Sequence, residues 1–344
     1  MILLKIISNF LMELNNWKYV YKKNEKSKNK LKKLITVACV LGYFNGEKYI
    51  KEQLQSILNQ KQDIFSITIF ISDDNSNRNF SLLENFDLEN IKNNEIYYRK
   101  LEKNIGYANN FIFSLRDINL EFDYFCFSDQ DDIWTQNKIE NALNNILKYD
   151  KKLPTLYCGR TTYFDEKCEY ELGNSLLFKK KPNFKNAIIQ SLAGGNTMLF
   201  NRSAKDLIVS SIFEDFKIIS HDWWCYQLIT GAEGIVYYDK NSYVKYRQHR
   251  NNLLGSNNTL HNKFHRILSL ISGKFKSWND INLNALNRNK SILKKNNKKL
   301  VEDFIKYRNG SLFQRIFLLK FLGIYRQTFL GNLALNIAVV FKRV

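Results

Sequence analysis

Residues 122–134 read FDYFCFSDQDDIW. An apolar run, Tyr124-Phe125-Cys126-Phe127, ends abruptly in Asp129, Asp131 and Asp132. A short β-prone run of this kind reads as a buried strand. Like charges that close repel and raise one another's pKa, so the acids need either open solvent or a cation. Asp129 and Asp131 lie two apart, on one side of an extended backbone, which suits a hard divalent ion. Mg²⁺ or Mn²⁺ takes one or two protein carboxylates and completes its shell with water and phosphate oxygens, so the pattern points to a diphosphate ligand. A solvated acidic turn capping the next helix would look the same. Asp132 suits either that helix start or a contact supporting the other two acids.

Outward from this strand the same rhythm repeats. Upstream are the apolar runs ITVACVL (35–41), ITIFIS (67–72) and EIYYR (95–99), with helical patterns over 48–59, near 78–87 and over 107–118. DYFCFS (123–128) then leads to a helix over 136–149. Strands separated by helices predict βαβ units: an α/β fold with a mostly parallel central sheet and helices on both faces. In such sheets ligands bind at the carboxyl ends of strands, where NGEK, DDNSN and DQDD fall. Beyond Asp150 shorter strands (YCGRTTYF, NTMLFN, GIVYYD) mix with helices over 183–192, 203–215 and 222–230, and this half is expected to complete the same domain. No internal repeat is evident.

At 344 residues, 44% apolar and 25% charged, the chain has a globular composition. Its net charge of +19 is unevenly spread. Residues 1–33 hold nine Lys and Arg against two Asp and Glu, residues 34–259 hold 26 against 28, and residues 260–344 hold 17 against three. A central fold that gripped nucleic-acid phosphates would be basic, and this one is slightly acidic, so no nucleic-acid partner is expected. Cys39, Cys126, Cys158, Cys168 and Cys225 show no C-x-x-C spacing and read as small hydrophobes in a reducing compartment. The start, MILLKIISNFLMELNNW, lacks the order of a signal peptide. The C-terminal apolar stretches are broken by Lys320, Asn332 and Asn336, short of the roughly 20 residues needed to span a bilayer.

Four further stretches carry chemistry-bearing residues. In ISDDNSN, Asp74 could accept from a base N–H or a ribose hydroxyl, while Asn75 and Ser76 suit an Asx-type turn. In GYFNGEKYI, Gly42 and Gly46 permit a close approach, and Phe44 offers either a stacking face or a core aromatic. In ISHDWWCYQL, Asp222 sits where a helix dipole favours a carboxylate. It could act as a general base on a sugar hydroxyl, with Trp223 or Trp224 as an apolar platform, or simply start a buried helix. In VKYRQHRNN, Arg247, His249 and Arg250 offer cationic and imidazole groups to a diphosphate or a metal.

Seven segments in order, YFNGEKYIKEQLQSILNQ, ISDDNS, NIGYANNF, FSDQDDIWTQNKI, GGNTMLFNRS, HDWWCYQLITGAEGIVYYD and YRQH, resemble glycosyltransferase family 2, the inverting enzymes of the Rossmann-like GT-A fold. The likeness is to rhamnosyltransferase-like bacterial members and runs from Ile35 to Asn258. It implies a donor site of Phe44, Asn45, Asp73, Asp74, Asn104, Asp129 and Arg247. It also implies a metal site for Mg²⁺ or Mn²⁺ at Asp129, Asp131 and His249. Gly195, Asn196, Trp223 and Trp224 would face the acceptor, with Asp222 as catalytic base. The family commonly has Tyr where this chain has Phe44, so stacking survives and a phenol contact is lost.

The resemblance implies transfer of a sugar from dTDP-rhamnose or a UDP-hexose to a glycan or lipid-linked acceptor in bacterial surface polysaccharide synthesis. The rivals are a sugar-nucleotide nucleotidyltransferase, for which GYFNGEKY is a poor Gly-rich basic loop, and a non-enzymatic basic binding protein. The expected layout is a basic N-terminal linker over 1–33, a GT-A domain over 34–258 and a basic amphipathic helical region over 259–344. The C-terminal pattern suits an anionic membrane surface, which predicts a cytoplasmic protein attached at the inner face of the plasma membrane. The alternative is that those helices simply pack on the domain.

Overall fold

A computed structural model describes residues 17–22, 34–78, 95–249 and 273–344. The helix expected near 78–87, Arg250 and the basic residues 23–33 lie outside the described residues.

The elements run β1 (Lys18–Lys22), β2 (Ile35–Tyr43), α1 (Ile50–Leu58), β3 (Phe65–Asp73), β4 (Glu95–Lys100), α2 (Tyr107–Asp117), β5 (Tyr124–Ser128), β6 (Ile133–Trp134) and α3 (Lys138–Ile146). The second half adds β7 (Thr155–Phe164), β8 (Glu171–Asn174), α4 (Phe184–Ala187), β9 (Leu199–Asn201), α5 (Arg202–Ser210), α6 (His221–Gly231) and β10 (Ile235–Arg247). Four helices close the chain: α7 (Lys274–Arg288), α8 (Lys295–Arg308), α9 (Leu312–Leu322) and α10 (Phe329–Val340).

One sheet has the order β1-β4-β3-β2-β5-β9-β7-β10-β6, with β8 pairing β7. Its long registers, β4 with β3, β3 with β2, β2 with β5 and β7 with β10, are parallel. Short antiparallel pairs, β9 above all, join the two parallel blocks. Alternation along each strand sorts the core into two layers. Val37, Cys39 and Leu41 of β2 meet Leu54 and Ile57 of α1 and Ile139 and Leu143 of α3. Ala38 and Val40 face the other way, toward Phe111 and Leu115 of α2, α6 and the C-terminal helices. The expected α/β fold with a mostly parallel sheet, helices on both faces and a C-terminal helical region is the one observed.

Three expectations need correction. Residues 18–22 are not linker: they form edge strand β1, antiparallel to β4. Trp17 anchors it, buried against Phe70 with the Arg99 guanidinium 4.4 Å above its ring. The helix expected over 183–192 is the single turn α4, because Ile189 N–H turns back to the Asn186 carbonyl and the ladder tightens and stops. The helix expected over 203–215 ends at Ser210, where the Ser210 and Ser211 hydroxyls donate to the carbonyls of Leu207 and Ile208. All five cysteines are free thiols, and all but Cys168 are buried.

Candidate functional site

Three adjacent parallel strands end together. After Tyr43 of β2, Asp73 of β3 and Ser128 of β5 the chain turns into the loops that hold the acids and Phe44. The Gln130 side chain clasps the first loop: its amide oxygen accepts from Phe44 N–H at 2.8 Å and its nitrogen donates to the Phe44 carbonyl at 3.1 Å. A Cβ on Gly46 would lie 2.1 Å from Gln130 Oε1, so a side chain there would break the clasp. Asn45 adopts a left-handed φ of 47°. Its N–H donates to Ser76 Oγ at 2.9 Å and its Oδ1 accepts from Asn77 N–H, tying the first loop to the second. Phe44 is 44% exposed.

Asp73 corrects an expectation. Its carboxylate is fully buried and accepts from Ser76 N–H at 2.7 Å and from the Tyr98 hydroxyl at 2.8 Å, so it holds the turn rather than a ligand. Asp74 accepts from Ile105 N–H at 2.8 Å. Burial raises its carboxyl above the usual range, and the Ile105 and Gly106 amides pull it back. Asn104 is brought beside it, donating to the Asp74 carbonyl at 3.1 Å.

The acidic cluster is real. Asp129 is pushed up to about 7, by burial first and then by the nearby charges of Asp131 and Asp222. Asp222 opens α6, where its Oδ1 accepts from Trp223 N–H at 2.7 Å. Tyr107, at the start of α2, feels both Asp222 and Asp129, and its hydroxyl donates to the Ile219 carbonyl at 3.1 Å. Among the described residues, no Lys or Arg forms an ion pair with Asp129 or Asp222. Asp131 Oδ2 lies 2.9 Å from His249 Nε2, and the His249 ring stacks on Tyr49. Asp132 is not at the helix start, since α3 begins at Lys138. It is buried, accepts from Asn196 Nδ2 at 2.5 Å and from Arg247 N–H at 3.3 Å, and so supports its neighbours.

Arg247 is a second correction. Its side chain is 2% exposed and bonded within the protein: Nε donates to the Asp131 carbonyl at 2.8 Å, Nη1 to the Glu166 carbonyl at 2.5 Å, and Nη2 to Glu52. Its plane also lies over the Tyr49 ring. It positions the Asp131 loop instead of meeting a diphosphate. Trp223 and Trp224 are a third correction. Both rings are core residues, with Nε1 of Trp223 donating to the Ala187 carbonyl at 2.6 Å and Nε1 of Trp224 to Ser211 Oγ at 2.9 Å. Neither offers a platform to a sugar.

Gly195 and Asn196 form a 3-10 turn beside the acids. A Cβ on Gly195 would fall 2.2 Å from His221 Nε2. His221 is a residue the sequence reading passed over. It is buried among Phe111, Phe127 and Tyr107, and neither ring nitrogen has a hydrogen bond. Gln130 and Tyr107 were also missed, although both stand inside quoted motifs.

Among the described residues, no group of three or more His, Cys, Asp or Glu is arranged to hold a metal by itself. The donor set still suits a hard cation: carboxylate oxygens repelling one another in a buried cleft, with one imidazole at their edge.

The family model described as glycosyl transferase family 2 matches residues 39–208. The chain is similar to the dTDP-rhamnosyl transferase RfbG of Shigella flexneri, 31% identical over 243 residues, which cover 67% of this chain and 79% of that protein. It is also similar to the uncharacterized glycosyltransferase RT0329 of Rickettsia typhi, 24% identical over 227 residues covering 62% and 64%. Among solved structures, that of S. aureus TarS 1–349 in complex with UDP-GlcNAc superimposes with a TM-score of 0.49 at 16% identity, covering 90% of this chain and 89% of that one. Enzymes of this family with the GT-A fold commonly use a divalent metal. With a family match over residues 39–208 and a relative 31% identical over most of its length, the chain belongs to glycosyltransferase family 2 and is a nucleotide-sugar glycosyltransferase.

Proposed function

We propose that the chain is an inverting rhamnosyltransferase that moves the sugar of dTDP-rhamnose, with a UDP-hexose as the runner-up donor, onto a glycan or lipid-linked glycan in bacterial surface polysaccharide synthesis. The observation that carries the mechanism is that Asp222, in the first turn of α6, comes near enough to Asp129 for its charge, with that of Asp131, to raise the Asp129 carboxyl. The relative with the dTDP-rhamnosyl name supports the donor.

Phe44 stacks on the base, and Asp74 accepts from it or from its ribose, with Asn45 and Asn104 holding those loops. Asp129, Asp131 and His249 would hold Mg²⁺ or Mn²⁺, which would supply charge neutralisation for the leaving diphosphate. Asp222 takes the proton from the attacking acceptor hydroxyl. Asp222 stands in the first turn of α6. A single in-line displacement inverts the anomeric carbon, and no carboxylate forms a covalent bond to the sugar. Gly195 and Asn196 shape the wall on the acceptor side. The enzyme works in the cytoplasm, held at the anionic inner face of the plasma membrane where a lipid-linked acceptor is presented.

The donor is tested by nucleoside-diphosphate release with dTDP-rhamnose and UDP-hexoses in Mg²⁺ and Mn²⁺. Turnover of UDP-hexoses alone would overturn the rhamnose assignment, and full activity in excess chelator would overturn the metal site. Asp222→Asn should retain donor affinity in calorimetry and lose transfer by about 10²-fold or more, the scale of general-base catalysis. Undiminished turnover in that variant would remove Asp222 from the role.

A further inference from the structure

The C-terminal helices do two different jobs. The α7 and α8 side chains Leu283, Leu286, Val301 and Phe304 are buried in the same core layer as α2 and α6. In α9 and α10 only Arg315, Leu318, Leu335, Ala338 and Val339 are buried. The outward side is apolar: Phe313, Phe321, Phe329, Leu330 and Phe341 are each more than two thirds exposed. Leu312, Ile316, Phe317, Leu333, Ile337 and Val340 are also exposed. Monomeric proteins seldom leave so many neighbouring apolar side chains in water.

This face is held in place. Gly323, at a left-handed φ of 62°, ends α9, and the connector to α10 is pinned to the body of the fold. The Tyr325 carbonyl accepts from Asn186 Nδ2 at 3.0 Å, and the Gln327 side chain bonds both the N–H and the carbonyl of Lys180. Charge selects the occupant. Residues 304–344 contain no Asp or Glu, and of their Lys and Arg side chains Lys306, Lys320, Lys342 and Arg343 are exposed. Two copies meeting through this face would bring basic side chains together with no acid to pair them. An anionic bilayer takes apolar side chains below its headgroups and basic ones among them.

We propose that the outward face of α9 and α10 is the membrane-docking surface of this enzyme, inserted shallowly into an anionic lipid bilayer. This rests on the membrane attachment proposed above and names the surface that makes it. No helix among the described residues is long and apolar enough to cross a membrane, so attachment through this surface is interfacial.

The test is co-sedimentation of the full-length chain with vesicles of phosphatidylglycerol in phosphatidylcholine, and with phosphatidylcholine alone. The comparison is with the triple variant Phe313→Ser, Phe321→Ser, Phe329→Ser, whose substituted side chains are exposed and take no part in the core. The wild type should bind anionic vesicles at least about 10-fold more tightly than neutral ones, and the variant should lose at least about 10-fold of the anionic binding. Nucleoside-diphosphate release from soluble donor should be unchanged, which separates this surface from the catalytic reading. Equal binding by variant and wild type would overturn the surface while leaving attachment to another segment. A wild type that ignores anionic vesicles would overturn both. A wild-type dimer that the variant dissolves, with no vesicle binding, would assign the face to a second copy.

Discussion

His221 forms no hydrogen bond through either ring nitrogen, and its pKa is lowered to about 4, by burial first and against the pull of Asp222. Phe111, Phe127, Tyr107 and the Gly195 turn pack around it, and Asp222 is the charged group beside it. A histidine kept neutral in the fold binds its proton more readily when unfolded, so stability falls as pH drops below about 6.5 and stops falling near 4. At about 1.4 kcal/mol per unit the loss is roughly 3 kcal/mol. His221→Phe should therefore flatten the acid side of the stability curve, measured by urea melts between pH 7 and pH 4. An unchanged curve would mean the imidazole protonates in place. The sequence displayed His221 plainly, inside HDWW, yet residue type says what a side chain can bind and not which way it faces. For the same reason Trp223 and Arg247 were assigned to ligands, while the buried tryptophan and the internally bonded guanidinium serve the fold.

The strand-end loops carry the lesson at the next scale. They were legible because a buried strand needs apolar residues and the site needs acids, so each loop starts where the apolar run stops. The support behind them was not, because it comes from elements far apart in the chain. Strand β10 runs on from GIVYYD to Arg247 and brings His249 to Asp131, more than a hundred residues away in sequence. Arg247 joins that strand to the Asp131 loop, to α1 through Glu52 and to the Glu166 turn. A lysine keeps the charge and cannot span those partners. Arg247→Lys should destabilise by roughly 2 kcal/mol or more, since buried acceptors lose charge-assisted bonds. It should also raise the Mn²⁺ concentration needed for half-maximal turnover, because His249 loses its registration against Asp131. A drop in stability with unaltered metal dependence would mean that the metal does not use His249.

At the level of the whole chain the sequence has a near-neutral centre and basic ends. Composition hid the boundary between centre and ends. A Lys-rich stretch looked like linker, yet residues 18–22 pair with β4, and helices that looked like an appendage fill one layer of the core. That continuity predicts the result of cutting the chain. Leu283, Leu286, Val301, Phe304, Leu318 and Leu335 are each at most 2% exposed. A fully buried side chain of this size contributes roughly 1.5–3 kcal/mol, and the surfaces they cover on α6 and its neighbours would face water without them. The total is on the order of 10 kcal/mol, comparable with the whole stability of a domain, about 5–15 kcal/mol. Asn282 Oδ1 also accepts from Ile219 N–H at 3.2 Å, three residues before the proposed base Asp222. A chain ending near Leu260 should therefore be insoluble or lack a cooperative melt. One ending after Arg308, without α9 and α10, should melt cooperatively and keep donor turnover, since the α7 and α8 layer stays in place. A shorter chain that folded and turned over donor as well as the full one would show that α7 and α8 are ornaments on a self-sufficient core.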